Sequence, residues 1–136
     1  TSIENLTRTY VINVFAVMVL TRECVKYMRD VSGKILNVAS TAGTTSRPGW
    51  LAYASSKAAV VSMSNTLADE LAEYGIMVYT VSPGRCATEL RRALAPDEDP
   101  STIMQPEQVA DVIALLMSGE ESCLAGQNIV VSQTVR

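Results

Sequence analysis

The sequence predicts an α/β fold built around a parallel sheet. Short apolar runs of strand length alternate with longer segments whose apolar residues recur at the helical period. Their order is helix, strand, helix, strand, helix, strand, which is the pattern of a parallel sheet covered by crossover helices. A third observation is the Ser-, Thr-, Gly- and Pro-rich stretch after the first strand run, a loop at the carboxyl end of a strand, where open α/β sheets bind ligands.

Residues 3–29 read as one long helix. Leu6, Tyr10, Val14, Val17, Met18 and Val25 recur at the helical period, and the upper half is apolar nearly all round, which implies burial against a sheet or a partner. Ser32 and Gly33 break it. Residues 34–39 (KILNVA) suit a buried strand, and residues 40–50 read as a loop. Residues 51–74 are helical, with Ala59, Val60, Met63, Leu67 and Leu71 inward and Asp69, Glu70 and Glu73 outward; Gly75 sits where a left-handed cap belongs. Residues 77–81 form a second buried-type strand, which Pro83 and Gly84 stop. The charged, proline-containing residues 86–105 read as a mobile helical excursion. Pro106 opens a further helix at its first turn, with Val109, Val112, Ile113 and Leu116 as core stripe, and residues 128–131 are the last strand.

The chain has 136 residues, enough for one domain with a real core, and a formal net charge of −3, which argues against a nucleic-acid surface. It has no histidine, so imidazole catalysis and histidine-ligated metal are excluded, and Cys24, Cys86 and Cys123 lack the paired spacing of a zinc site. Three cysteines suggest no disulfide framework, so a reduced, cytoplasmic setting is expected. Cys24 and Cys123 read as core packing, and nothing beside Cys86 predicts a reactive thiolate. The longest apolar run, residues 11–20, is interrupted by Asn13 and is too short to span a bilayer; no signal peptide is visible.

Tyr53 and Lys57 stand at i and i+4, on one helix face. A free phenol titrates near pH ~10, too high for efficient proton exchange at neutrality, and a neighbouring ammonium favours the phenolate. Ser40 falls just past a strand end, where its hydroxyl could donate to a carbonyl oxygen becoming an alkoxide. Each residue type is common alone; what singles these out is that each member falls on the element that suits its chemistry. Taken alone, Asn13 reads as a polar break in a buried helix that satisfies local backbone groups, and Pro83-Gly84 as an ordinary turn.

The joint pattern resembles the C-terminal half of the short-chain dehydrogenase/reductases. The matching text is Asn13 within YVINVFAV, Ser40 within ILNVASTAG, Tyr53-Ala54-Ser55-Ser56-Lys57-Ala58-Ala59, and VYTVSPGRCAT ending at Thr88. The resemblance implies part of a Rossmann-type, doubly wound sheet, entered at a helix, and NAD- or NADP-dependent interconversion of a small carbonyl compound and its alcohol. It assigns Tyr53 as acid/base, Lys57 to the nicotinamide ribose and the tyrosine, Ser40 to polarising the carbonyl, and Asn13 to a water linking Lys57 with solvent. Pro83 and Gly84 would approach the nicotinamide, and Thr88 would bond its carboxamide or the phosphates. The family also implies a homo-dimer or homo-tetramer assembled through helices 3–29 and 51–74.

The sequence departs from the family pattern in two ways. No Gly-x-x-x-Gly-x-Gly occurs, so residues 1–136 are expected to be a single truncated dinucleotide-binding domain that lacks the glycine-rich half. Without a glycine-lined helix N-terminus for the pyrophosphate, dinucleotide binding is expected to be weak and the isolated chain inactive. The ending AGQNIVVSQTVR, with residues 85–92 and the DEDPSTIMQPEQVADV segment, is similar to the reductase domain of bifunctional ribitol-5-phosphate cytidylyltransferases, which implies a sugar-phosphate substrate. Arg47 and Arg85, with Arg91 and Arg92, would then supply forked donors to the phosphate, or else be solvated surface charges. The alternative function is a catalytically inactive, oligomerising piece.

Overall fold

A computed structural model of the chain describes residues 1–133, and the last three residues of the AGQNIVVSQTVR ending lie outside them. Ser2 opens helix α1 (Ile3–Tyr10), its side chain accepting the Asn5 N–H at 3.1 Å as an N-cap should. The expected single long helix is interrupted by one π-helical turn, Val11–Phe15, before α2 (Ala16–Met28) resumes. The Ala16 N–H reaches back five residues to the Val11 carbonyl, so one extra residue is accommodated in the turn that holds Asn13.

Strand β1 (Gly33–Val38) pairs in parallel with β2 (Ile76–Pro83), which pairs in parallel with β3 (Asn128–Val131), giving the order β1-β2-β3. The middle strand is the best enclosed: Ile76, Val78, Tyr79, Thr80, Val81 and Ser82 are all buried. This agrees with a parallel strand covered on both faces. One face of the sheet packs Tyr79 and Val81 against Val109 and Leu116 of α5 (Pro106–Met117). The other packs Ile76 and Val78 against Val25 of α2 and Leu71 of α3 (Leu51–Leu71). A short 3-10 turn (Ala72–Tyr74) closes α3, with Gly75 left-handed after it.

The core face of α3 is built from small residues. Ala52, Ser56, Val60 and Ser64 are buried at four-residue intervals, so the helix approaches the sheet closely. Two asparagines, one on the sheet and one on the π-helical turn, bond to this face. Asn37 of β1 donates to Ser64 Oγ at 2.9 Å, and Asn13 donates to Ser56 Oγ at 3.0 Å. The serine hydroxyls donate in turn to the carbonyls of Val60 and Tyr53.

At the far end of the sheet Lys34 donates its Nζ to the carbonyls of Leu116, Ser118 and Glu121. A cation there satisfies groups that the end of α5 leaves without helical partners. Two expectations are corrected: Cys24 and Cys123 are exposed rather than packed in the core, and Met18, with Val11, Ile12, Phe15, Val19 and Leu20, faces outward from the α1–α2 segment. The turn-to-turn apolar character of residues 11–20 exceeds what one sheet can cover.

Candidate active site

The three strands end together. Ala39 N–H donates to the Val81 carbonyl at 2.7 Å and Gly84 N–H to the Val131 carbonyl at 2.8 Å. Just beyond these ends lies an open cleft of about 1220 Å³, lined among others by Ser40, Tyr53, Lys57, Pro83, Gly84 and Thr88. Arg47 and Arg85 also line it. Of the nine residues singled out in the sequence, eight therefore meet at one cleft. Asn13 does not line it and stands behind it, bonded to Ser56, the residue before Lys57.

Ser40 caps a 3-10 turn (Thr41–Gly43), its Oγ accepting the Ala42 N–H at 3.2 Å. That bond uses an oxygen lone pair and leaves the hydroxyl proton free to be donated. Gly43 follows, pressed against α3. A β-carbon on it would meet the Lys57 carbonyl carbon at 2.7 Å and the Ala58 nitrogen at 2.8 Å. The loop that carries Ser40 thus rests on the backbone of Lys57 itself, and the absence of a side chain at residue 43 permits the contact. Sequence reading passed over this residue, because close approach without a positive φ leaves no local signature.

Lys57 Nζ donates to the Val38 carbonyl at 2.9 Å and lies 5.8 Å from the centre of the Tyr53 ring. Burial lowers its pKa below the ordinary lysine value. One of its three N–H donors is fixed on the end of β1, which leaves two to face the cleft. The Tyr53 ring meets the indole of Trp50 edge to face, with centroids 5.8 Å apart and planes at 75°. Trp50 closes a turn that starts at Arg47: its N–H donates to the Arg47 carbonyl at 3.0 Å. Gly49 within that turn has φ +85°, which favours glycine.

The second wall of the cleft comes from residues 84–106. Thr88 lines it and also caps α4 (Glu89–Leu94), its Oγ1 accepting the Arg91 N–H at 3.2 Å. The expected mobile excursion holds this short helix and a 3-10 turn (Pro100–Thr102). It is pinned by Glu98. The carboxylate accepts Arg85 Nη1 at 2.9 Å, Arg91 Nε at 2.6 Å and Arg91 Nη2 at 2.9 Å. Arg91 foremost, then Arg85, holds the Glu98 carboxyl below the usual glutamate range. Arg85, weighed in the sequence as a phosphate donor, is thus engaged by a carboxylate of its own chain. Burial raises the Cys86 thiol, so no thiolate is favoured there. Among the described residues no cluster of His, Cys, Asp and Glu could hold a metal ion, and no helix is long and apolar enough to cross a membrane.

The family model described as short chain dehydrogenase matches residues 1–99. The chain is similar to a 3-oxoacyl-[acyl-carrier-protein] reductase, FabG, of Rickettsia conorii, with 33% identity across 95% of the chain and 57% of that relative. It is 38% identical to the FabG of Thermotoga maritima across 87% of the chain and 52% of the relative. It is also 33% identical to a 2,3-dihydro-2,3-dihydroxybenzoate dehydrogenase of Bacillus subtilis, across 94% of the chain and 56% of the relative. The chain spans about half the length of these curated relatives. Among solved structures it resembles 4-hydroxyisoleucine dehydrogenase complexed with NADH, with TM-score 0.84 and 27% identity over 96% of the chain and 59% of that structure. It also resembles ElxO with NADP bound, with TM-score 0.87 and 25% identity over 96% of the chain and 57% of that structure.

Proposed function

Because the chain belongs to the short-chain dehydrogenase family, we propose that it carries the proton-transfer half of an NAD(P)-dependent oxidoreductase. Its substrate is a small carbonyl compound or the corresponding alcohol, with anionic carbonyl compounds such as sugar phosphates included. The observation that carries this reading is the meeting of Ser40, Tyr53 and Lys57 at one cleft, outside the carboxyl ends of parallel strands.

The nicotinamide end of a dinucleotide fits the residues present. Pro83 and Gly84 line the cleft, Gly84 lying so close to the end of β3 that a β-carbon would come 3.3 Å from Ser132 Cβ. Lys57 keeps two N–H donors for ribose hydroxyls, and Thr88 borders the same space. The dinucleotide, when bound, supplies the hydride to the carbonyl carbon or takes it from the alcohol carbon. Tyr53 gives its hydroxyl proton to the oxygen that becomes the alcohol, and takes that proton back in reverse. Ser40 donates to the same oxygen as negative charge gathers on it. Lys57 holds the phenol side of the cleft cationic, and Asn13 fixes the helix turn around it through Ser56. The sequence has no Gly-x-x-x-Gly-x-Gly turn for the pyrophosphate, so the chain on its own binds NADH or NADPH more weakly than about micromolar.

The test is carbonyl reduction with each nicotinamide cofactor at about millimolar concentration, where weak binding still fills the site, beside Tyr53→Phe. Turnover is expected to fall at least ~100-fold in the variant. Turnover that survives the loss of the phenol rejects the reading. A second reading, an oligomerising module without chemistry, is favoured by the exposure of Val11, Ile12, Phe15, Val19 and Leu51 on the helices at 3–29 and 51–74. It requires a homo-dimer or homo-tetramer in sedimentation together with no Tyr53-dependent turnover.

A further inference from the structure

Three arginines line the cleft, Arg47, Arg85 and Arg91, and no Asp or Glu among the described residues lines it. That is notable in a chain of net charge −3. Arg85 and Arg91 are both held by Glu98, Arg91 through two parallel bonds. Among the described residues no salt bridge engages Arg47. It is the first residue of the turn whose fourth is Trp50, and both line the cleft. The indole in turn meets the ring of Tyr53. On the excursion side, α4 adds Leu90 and Leu94 to the lining, both exposed and apolar.

We propose that the turn at residues 47–50 selects the substrate: Trp50 holds an apolar group next to the reacting carbonyl, and Arg47 binds an anionic group beyond it. The ligand class is an aryl- or alkyl-substituted oxo acid. This rests on the reading of Tyr53 as the proton donor, since Tyr53 sets where the carbonyl sits. A guanidinium fork matches a carboxylate or a phosphate; the indole on one wall of the cleft and the two leucines on the excursion side favour a molecule with an apolar body over a polyhydroxylated one. Arg91 is held by Glu98 in two parallel bonds and Arg85 gives one Nη1 donor to the same carboxylate, so of the three only Arg47 has no carboxylate partner among the described residues. Gly49, at φ +85°, fixes the tight turn that keeps residues 47 and 50 together.

Trp50 is the sole tryptophan of the chain, so its fluorescence reports binding without turnover. The chain is titrated with 4-acetylbenzoate, an oxo acid whose ring adjoins the carbonyl and whose carboxylate lies beyond it, with its neutral ethyl ester and with ribulose 5-phosphate, each with and without saturating NAD. The oxo acid is expected to quench saturably and to bind about tenfold more tightly than the ester. Arg47→Gln is expected to abolish that preference and to leave ester binding unchanged. Equal binding of acid and ester overturns the proposal, as do a preference that survives Arg47→Gln, tighter binding of ribulose 5-phosphate, or no saturable quenching by any of the three. Tyr53→Phe separates this result from the catalytic reading: the variant loses turnover if that reading holds, while the preference for the acid stays.

Discussion

Gly43 lies against the carbonyl of Lys57 with no room for a side chain, a β-carbon there coming within 2.7 Å of the Lys57 carbonyl carbon. The Ser40 loop and the Lys57 helix therefore share one backbone contact. Gly43→Ala must push the loop away from α3, since both neighbours are main chain and cannot rotate aside. Overpacking of this kind costs about 1–3 kcal/mol. Turnover is expected to fall more steeply than stability, because Ser40 is displaced from Tyr53 while the core of α3 stays packed. Denaturant unfolding beside steady-state kinetics checks both; an unchanged kcat shows that the contact does not position Ser40.

Asn13→Ala removes the donor to Ser56 Oγ, a buried hydroxyl. The hydroxyl keeps its own bond to the Tyr53 carbonyl, so the loss is that of one hydrogen bond, about 0.5–1.5 kcal/mol. A double-mutant cycle with Ser56→Ala is expected to give a coupling of about 1 kcal/mol. A coupling near zero assigns the asparagine to the π-helical turn alone.

Tyr79 is fully enclosed, and burial, followed by the nearby Glu121 carboxylate, pushes its phenol up to about 12. The pKa in the fold lies above the ordinary 10.0, so the folded state keeps the proton longer than the unfolded chain. The stabilisation is complete below the ordinary value and is lost as pH rises from there through about 12. An ultraviolet titration of phenolate is expected to lose its highest step in Tyr79→Phe while the lower steps remain.

Glu98 has the opposite sign. Its carboxyl is held below the ordinary 4.5 by Arg91 first, so its ion pairs stabilise the fold above that value and are lost as pH falls through the lower folded pKa. Glu98→Gln is expected to melt earlier than the parent at about pH 6, with the gap closing toward about pH 3. A gap independent of pH shows that charge is not what pins residues 84–106.

Much of this architecture is visible in the sequence. The strand runs, the glycine after α3, the proline opening α5 and its stripe at Val109 and Leu116 were legible because each follows a local rule of burial or capping. The π-helical turn was not, because residues 11–20 are apolar nearly all round, so the phase shift of about 100° that one extra residue brings displaces no polar face. The core face of α3 was read from its large residues, yet Ser56 and Ser64 are buried more fully than Met63 or Leu67, since their partners Asn13 and Asn37 come from distant segments. In the same way the clustering of Ser40, Tyr53 and Lys57 follows from strand ends and helical spacing. The engagement of Arg85 with Glu98, thirteen positions on, follows no local rule.

The two asparagine–serine bonds, one from β1 and one from the π-helical turn, allow α3 only one height between the two. Sliding it by a turn would part both asparagines from their serines, each of which keeps only the bond to its own helix. Tyr53 and Lys57 are carried on that keyed helix, whereas the residues that border the rest of the cleft sit on separate, shorter pieces of chain. Those pieces can exchange side chains, and so change the shape of the cleft, while Tyr53 and Lys57 keep their alignment to each other.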